Sequence, residues 1–151
     1  MKVLLLGGNG MIGNQLFHSW QSLFDLKITL KKPEDNYKDF NLFNQKNSFF
    51  DIDIKMLDRL ERAIHIFEPN TIVNCIGVTK QKIKDKNIND VDYINGIFPH
   101  ELDKICKKKL IRLIHLSTDC VFFGDKGNYT VSDHPDAKDL YGLSKIKGEV
   151  I

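Results

Sequence analysis

The sequence predicts an α/β protein built on a doubly wound parallel sheet, and three observations carry that expectation. Apolar runs of strand length alternate with amphipathic stretches of helix length along the chain. The first run, Val3-Leu4-Leu5-Leu6, breaks directly into Gly7-Gly8-Asn9-Gly10-Met11-Ile12-Gly13, with glycines three residues apart. Strands joined through helices pair in parallel by right-handed crossovers, which collects the residues after each strand along one edge of the sheet.

Four consecutive apolar residues read as a strand buried on both faces. Gly7 permits the tight turn out of it, Gly10 lets a pyrophosphate approach the backbone, and Gly13 lets the following helix pack close to the strand. The helix start, with its free N–H groups and positive dipole end, suits an anion. The spacing G-x-x-G-x-x-G differs from the commoner G-x-G-x-x-G, and a plain glycine-rich turn is the bland alternative. Ile12, Leu16 and Trp20, widened by Phe17 and Leu23, predict a helix over 10–24; His18 on it reads as a surface histidine.

The second strand is expected over 26–30, ended by Lys31-Lys32-Pro33. An acid at this strand end would favour a free ribose 2′-hydroxyl, whereas Lys31 and Lys32 favour a 2′-phosphate, hence NADPH over NADH. Two solvated lysines are the competing explanation. Residues 34–47 read as a loop with one short turn, and 49–53 as a third strand with its exit. Leu57, Leu60, Ile64 and Phe67 predict a helix that stops before Pro69, and 72–76 a fourth strand turning at Gly77. Residues 81–90 read as a charged loop. Val91, Ile94, Phe98, Leu102 and Ile105 predict a helix that Pro99 kinks and Lys107-Lys108-Lys109 ends. A fifth strand is expected over 110–117, and a last helix from near Leu140.

The 151 residues carry 22 Lys+Arg against 20 Asp+Glu, a net charge of +2, which gives no electrostatic case for nucleic acid or a membrane surface. No apolar run reaches spanning length, and the first one leads into glycines rather than a cleavage site. Cys75, Cys106 and Cys120 are odd in number and lack metal-like spacing, which fits a reduced cytoplasmic protein.

Tyr141 and Lys145 stand four residues apart, on one helical face. Reducing a carbonyl requires a group that gives a proton to its oxygen while hydride reaches its carbon. A phenol serves near neutral pH only if ionising it becomes easier by roughly 4 kcal/mol. An ammonium about 4 Å away supplies ~1 kcal/mol in water but ~4 kcal/mol in a partly enclosed site. Ser117 and Thr118, after the fifth strand, offer hydroxyls for the substrate oxygen. A chance Tyr-x-x-x-Lys is common in so lysine-rich a chain, so the weight rests on its place after Ser117-Thr118 and downstream of the glycines.

Taken together, the glycine run 7–13, Pro69 through Val73-Asn74, Asn95 with Pro99, Ser117-Thr118-Asp119-Cys120-Val121-Phe122, Tyr129 through Asp133 with Pro135, and Tyr141-Gly142-Leu143-Ser144-Lys145 with Gly148-Glu149 resemble one family. It is the extended short-chain dehydrogenase/reductases, in their dTDP-4-dehydrorhamnose reductase branch. The resemblance implies an NAD(P)-binding Rossmann domain and a catalytic triad of Thr118, Tyr141 and Lys145. Tyr141 would be the acid, Lys145 would activate it and hold the nicotinamide ribose, and Thr118 would orient the substrate carbonyl. Gly7, Gly10, Met11, Ile12, Gly13, Asn74, Cys75, Ile76 and Gly77 would line the cofactor. Asp53 would meet the adenine amino group beside Ile54, and Thr79 would approach substrate or ribose. The implied reaction is reduction of a keto group on a nucleotide-linked deoxysugar by NADPH or NADH, supplying cell-surface polysaccharide.

Gln15 stands where some relatives carry an acid in a metal-bridged dimer, so no metal is carried over, although a homodimer of the full-length form remains compatible. Val131 replaces a frequent Glu. The family's substrate-binding half follows the catalytic helix, so the resemblance implies an incomplete domain, from a longer protein or a truncated gene product. Two alternatives stand beside the reductase. One is an epimerase or dehydratase of the same superfamily, for which Thr118-Asp119-Cys120 lacks an added acid–base pair. The other is a non-catalytic dinucleotide-binding regulatory subunit.

Overall fold

The computed structural model describes residues 1–150. In chain order it contains β1 (Lys2–Leu6), α1 (Met11–Trp20), β2 (Asp25–Thr29), β3 (Ser48–Phe49), α2 (Leu57–Phe67), β4 (Thr71–Asn74), α3 (Ile88–Val91), α4 (Phe98–Lys109), β5 (Arg112–His115) and α5 (Leu140–Lys147). The chain forms two compact units, one of Met1–Ile76 with Lys104–Ile114, the other of Gly77–Asp103 with the residues from His115 onward.

In the first unit, β1 pairs in parallel with β2 on one side and β4 on the other, and the sheet order is β3-β2-β1-β4-β5. This is the predicted doubly wound sheet, whose order reverses between β1 and β4, where such sheets bind their ligands. Leu4, Leu5 and Leu6 are fully buried, as a central strand covered on both faces requires. Phe17 of α1 joins Val3, Leu5, Leu26, Ile28, Leu30 and Val73 in one cluster. Each such side chain contributes about 1.5–3 kcal/mol by leaving water.

Several boundaries differ from expectation, each for a local reason. The α1 helix stops at Trp20, and its carbonyl takes the N–H groups of Leu23 and Phe24 in a closing turn that leaves Leu23 exposed. Ile12, expected on the buried face, is half exposed. Within 34–47 a 3-10 helix runs over Glu34–Phe40; Pro33 presets its entry, and Tyr37 is buried, its hydroxyl accepting from the Lys32 N–H. The third strand keeps two residues. Pairing with Leu30 continues through Phe49 and Ile52, but Asp51 takes a left-handed φ of 58° that breaks the ladder. The fifth strand starts at Arg112 because Leu110 closes α4 instead: at φ 56°, its N–H reaches the Lys107 carbonyl while the Ile111 N–H reaches that of Cys106. That pair of bonds is a Schellman cap.

In the second unit, residues 81–90 are more ordered than a loop, with a 3-10 helix over Lys80–Asp85 and α3 capped by the Asn87 side chain. Between α3 and α4 the backbone widens into a π-helix, Asp92–Ile97, in which the Phe98 N–H reaches back to the Tyr93 carbonyl. Pro99 has no N–H for the carbonyl of Asn95, and the expected interruption takes this form, a wider turn immediately before the proline. Beyond β5, residues 122–133 form a loop that packs on itself. Phe122 and Tyr129 stack at 4.5 Å, the Tyr129 hydroxyl accepts from the N–H groups of Gly124 and Lys126, and Lys126 pairs with Asp133.

Candidate active site

The glycine turn of the first unit is held by its own backbone. Gly7 sits at φ 78°, and its N–H donates to Thr29 Oγ1 at 3.2 Å, a partner with no signal in the sequence beyond a polar residue ending an apolar strand. A Cβ on Gly7 would lie 2.8 Å from Ile76 Cγ1, and one on Gly13 would collide with the Gly7 carbonyl. Gly10 is different. A Cβ there would meet nothing nearer than the Gly7 oxygen at 3.3 Å, so interior packing demands glycine less strictly at this position. Gly10 also caps α1 without any side chain, leaving first-turn N–H groups to an outside acceptor. A bare helix start with a positive dipole end fits a diphosphate. Met11 and Ile12 beside it expose their side chains.

Lys31 and Lys32 follow β2, Asp53 follows β3, Asn74 ends β4, and Cys75 and Ile76 follow it. Parallel strands thus bring these predicted residues to the same sheet edge as the glycine turn. Lys31 Nζ lies 3.1 Å from Asp53 Oδ2. Partial burial acts to raise the Asp53 carboxyl, but the Lys55 N–H and the Lys31 ammonium outweigh it and hold the group below its ordinary range. Lys32 makes no ion pair among the described residues, and both lysines line a groove of roughly 930 Å³ with Gly10, Met11, Asn14 and Asn36. Ile54 is buried, and the Asn74 side chain accepts the Ile76 N–H at 3.1 Å. Burial pushes the Cys75 thiol up to about 11, so it is no nucleophile near neutral pH.

In the second unit α5 is seated at two points. Asp139 caps it, accepting the Gly142 N–H at 2.8 Å, and pairs with Lys80 at 2.6 Å. The missing side chain of Gly142 lets the helix rest against the Cys120 carbonyl and Ala137. Three residues on, Lys145 is only 6% exposed and donates to the Leu116 carbonyl at 2.7 Å. Burial lowers the Lys145 ammonium from its ordinary pKa, with Glu149 acting in the opposite sense. Thr118 Oγ1 accepts the Cys120 N–H at 3.2 Å and so caps the 3-10 turn Asp119–Val121 on which α5 rests.

Thr118, Tyr141 and Lys145 are therefore carried by two segments packed on each other. The Tyr141 hydroxyl makes no hydrogen bond among the described residues. Ser117 is engaged differently, donating to Glu149 Oε1 at 2.6 Å. Gly77 and Thr79 are exposed, the latter opening the 3-10 turn Lys80–Asp85.

Two further residues matter here without having been assigned a role from sequence. Asn95, 1% exposed, donates to the Val78 carbonyl and Ser144 Oγ and accepts the Val78 N–H at 2.8 Å, tying the π-helix to α5. His115, read simply as a strand residue, places Nε2 3.4 Å from Lys145 Nζ. Neither position stands out by periodicity, since both partners are distant in the chain.

A parallel sheet in this order, with a glycine turn after β1, defines a Rossmann-like α/β fold. The chain belongs to the family of the RmlD substrate binding domain, whose model matches residues 1–151. A probable low-salt glycan biosynthesis reductase of Haloferax volcanii is 26% identical over 150 residues, 99% of this chain and 48% of the relative. Methionine adenosyltransferase 2 subunit beta of Mus musculus is 23% identical, covering 98% of this chain and 41% of its own length. Among solved structures, a hypothetical dTDP-4-dehydrorhamnose reductase from Sulfolobus tokodaii superposes with a TM-score of 0.78 at 25% identity, over 98% of this chain and 50% of that one. A dTDP-4-dehydrorhamnose reductase from Bacillus anthracis, in complex with NADP, gives 0.75 at 24%, over 97% and 47%. The chain thus spans about half the length of the relatives it matches. No helix among the described residues is long and apolar enough to cross a membrane.

Proposed function

We propose that this chain is the dinucleotide-binding, proton-donating part of an NADPH-dependent reductase. Its substrate would be the keto group of a nucleotide-linked deoxysugar, in cytoplasmic synthesis of cell-surface polysaccharide precursors. The observation that carries the reading is the seat of α5, where Lys145 is buried against the Leu116 carbonyl while the Tyr141 hydroxyl, one turn earlier, is left without a partner. Structural relatives named as dTDP-4-dehydrorhamnose reductases, one of them in complex with NADP, support both the substrate class and the cofactor.

In this reading, the N–H groups after Gly10 hold the diphosphate, and Gly7 and Gly13 keep that turn in shape. Lys32, with Lys31, meets the 2′-phosphate, and Asp53 and Ile54 border the adenine. Residues 74–77 line the dinucleotide and Thr79 borders substrate or ribose. When bound, the reduced nicotinamide supplies hydride to the carbonyl carbon. Thr118 holds the carbonyl oxygen, with Ser117 beside it, and Tyr141 donates the proton that the oxygen acquires. The Lys145 ammonium stabilises the phenolate left behind, and its burial limits screening by water.

The test is NADPH oxidation with a dTDP-4-keto-6-deoxysugar, using the full-length protein. Tyr141→Phe is expected to abolish turnover while cofactor affinity stays unchanged. Equal turnover in variant and parent would refute the assignment. The likeness to a methionine adenosyltransferase subunit favours a second reading, a dinucleotide-binding subunit of another enzyme. Cofactor binding without turnover of any keto-sugar nucleotide would support that instead.

A further inference from the structure

Lys145 has three N–H donors and two acceptors close at hand, the Leu116 carbonyl at 2.7 Å and His115 Nε2 at 3.4 Å. The imidazole can accept only while neutral and protonated on Nδ1, and a charged ring would set two cations side by side in a part-buried place. We propose that His115 is a positioning residue for Lys145: its neutral ring and the adjacent carbonyl fix two of the ammonium's N–H groups, leaving the third for the reacting partners. The catalytic meaning of this arrangement rests on the reductase reading above; the pairing itself rests on geometry.

The surroundings agree with a neutral ring. His115 ends β5 and is part buried, and among the described residues the charged or titratable groups named around the pair come from two other elements. From α4, His100 bonds the Lys147 carbonyl at 2.6 Å. From α5 and just beyond come Lys145 itself, Lys147, which pairs with Asp92 at 2.7 Å, and Glu149, which accepts from Ser117. Burial first, then Lys145 and His100, hold His115 down to about 4. The carboxylates of Asp92 and Glu149 already have donors of their own.

Nitrogen NMR of the ¹⁵N-labelled wild-type protein tests the pairing without any variant. The expected result is an unprotonated Nε2 and a protonated Nδ1 at neutral pH; the opposite tautomer, or a charged ring, overturns the proposal. Lys145→Met should raise the midpoint of the His115 titration, and an unchanged midpoint also overturns it. In turnover, His115→Gln keeps an acceptor and is expected to retain most of kcat, while His115→Phe should lose about tenfold or more, the loss expected for one charge-assisted hydrogen bond. Equal losses in both would indicate packing alone. A wild-type protein that shows the expected tautomer yet turns over no keto sugar would sink the reductase reading and leave the Lys–His pairing standing.

Discussion

Lys31 and Lys32 are neighbours with the same side chain, yet their surroundings separate them. The Lys31 ammonium is half satisfied by Asp53 at 3.1 Å, whereas Lys32 faces the groove without a carboxylate. Recruiting Lys31 to a phosphate means competing with that carboxylate, so Lys32→Ala is expected to weaken NADPH by about tenfold or more, a charge-assisted bond. Lys31→Ala should cost less, and NADH affinity should barely change in either. Titration of cofactor fluorescence against each variant checks this, and an unchanged NADPH-to-NADH ratio in Lys32→Ala would remove the 2′-phosphate role. Residue types were enough to mark both lysines. What they could not convey is that Asp53, given to the adenine by resemblance, also holds one of the two.

Among the elements, those built on a long apolar stripe were legible: Leu57, Leu60, Ile64 and Phe67 bound α2 at its observed ends, Leu57–Phe67. Elements that end on unusual backbone were not. Leu110 looked like the first residue of a strand because it is apolar, but it is 94% exposed and left-handed, the closing residue of α4. Glycine fills this position far more often, and a leucine in it costs about 1–2 kcal/mol of strain. Leu110→Gly is therefore expected to stabilise the protein by about 1 kcal/mol, since no buried contact is lost. Thermal or urea unfolding would show a raised midpoint, and a lowered one would mean that the exposed leucine does more than close a helix. The third strand failed for a related reason, a left-handed Asp51 that no hydrophobic pattern announces.

For the whole molecule, the acid sensitivity that begins nearest neutral pH comes from one imidazole. An unfolded His115 titrates near its ordinary 6.5, while the folded one is held down to about 4 by burial, Lys145 and His100. Between those values the unfolded chain binds the extra proton, so stability present above pH 6.5 is lost as pH falls towards about 4. Asp133 adds nothing in that window. Lys126 and the Thr130 N–H hold its carboxyl at about 2, below its ordinary 3.8, so its contribution disappears only in stronger acid. Melting temperatures should fall as pH is lowered from 6.5 towards about 4, and His115→Phe should flatten the fall; an unaltered slope in that variant would reassign the sensitivity. The sheet order could be read from alternation and glycine spacing, because local pattern dictates parallel crossovers. The partners of Lys145 could not, because they are set by where two distant segments pack.

The loop over 122–133 is closed by an aromatic stack at 4.5 Å, by the Tyr129 hydroxyl and by an ion pair, all within itself. Its conformational freedom is surrendered when the chain folds, not when a molecule arrives. Contacts formed within the loop reduce the ordering that a ligand touching it would have to supply.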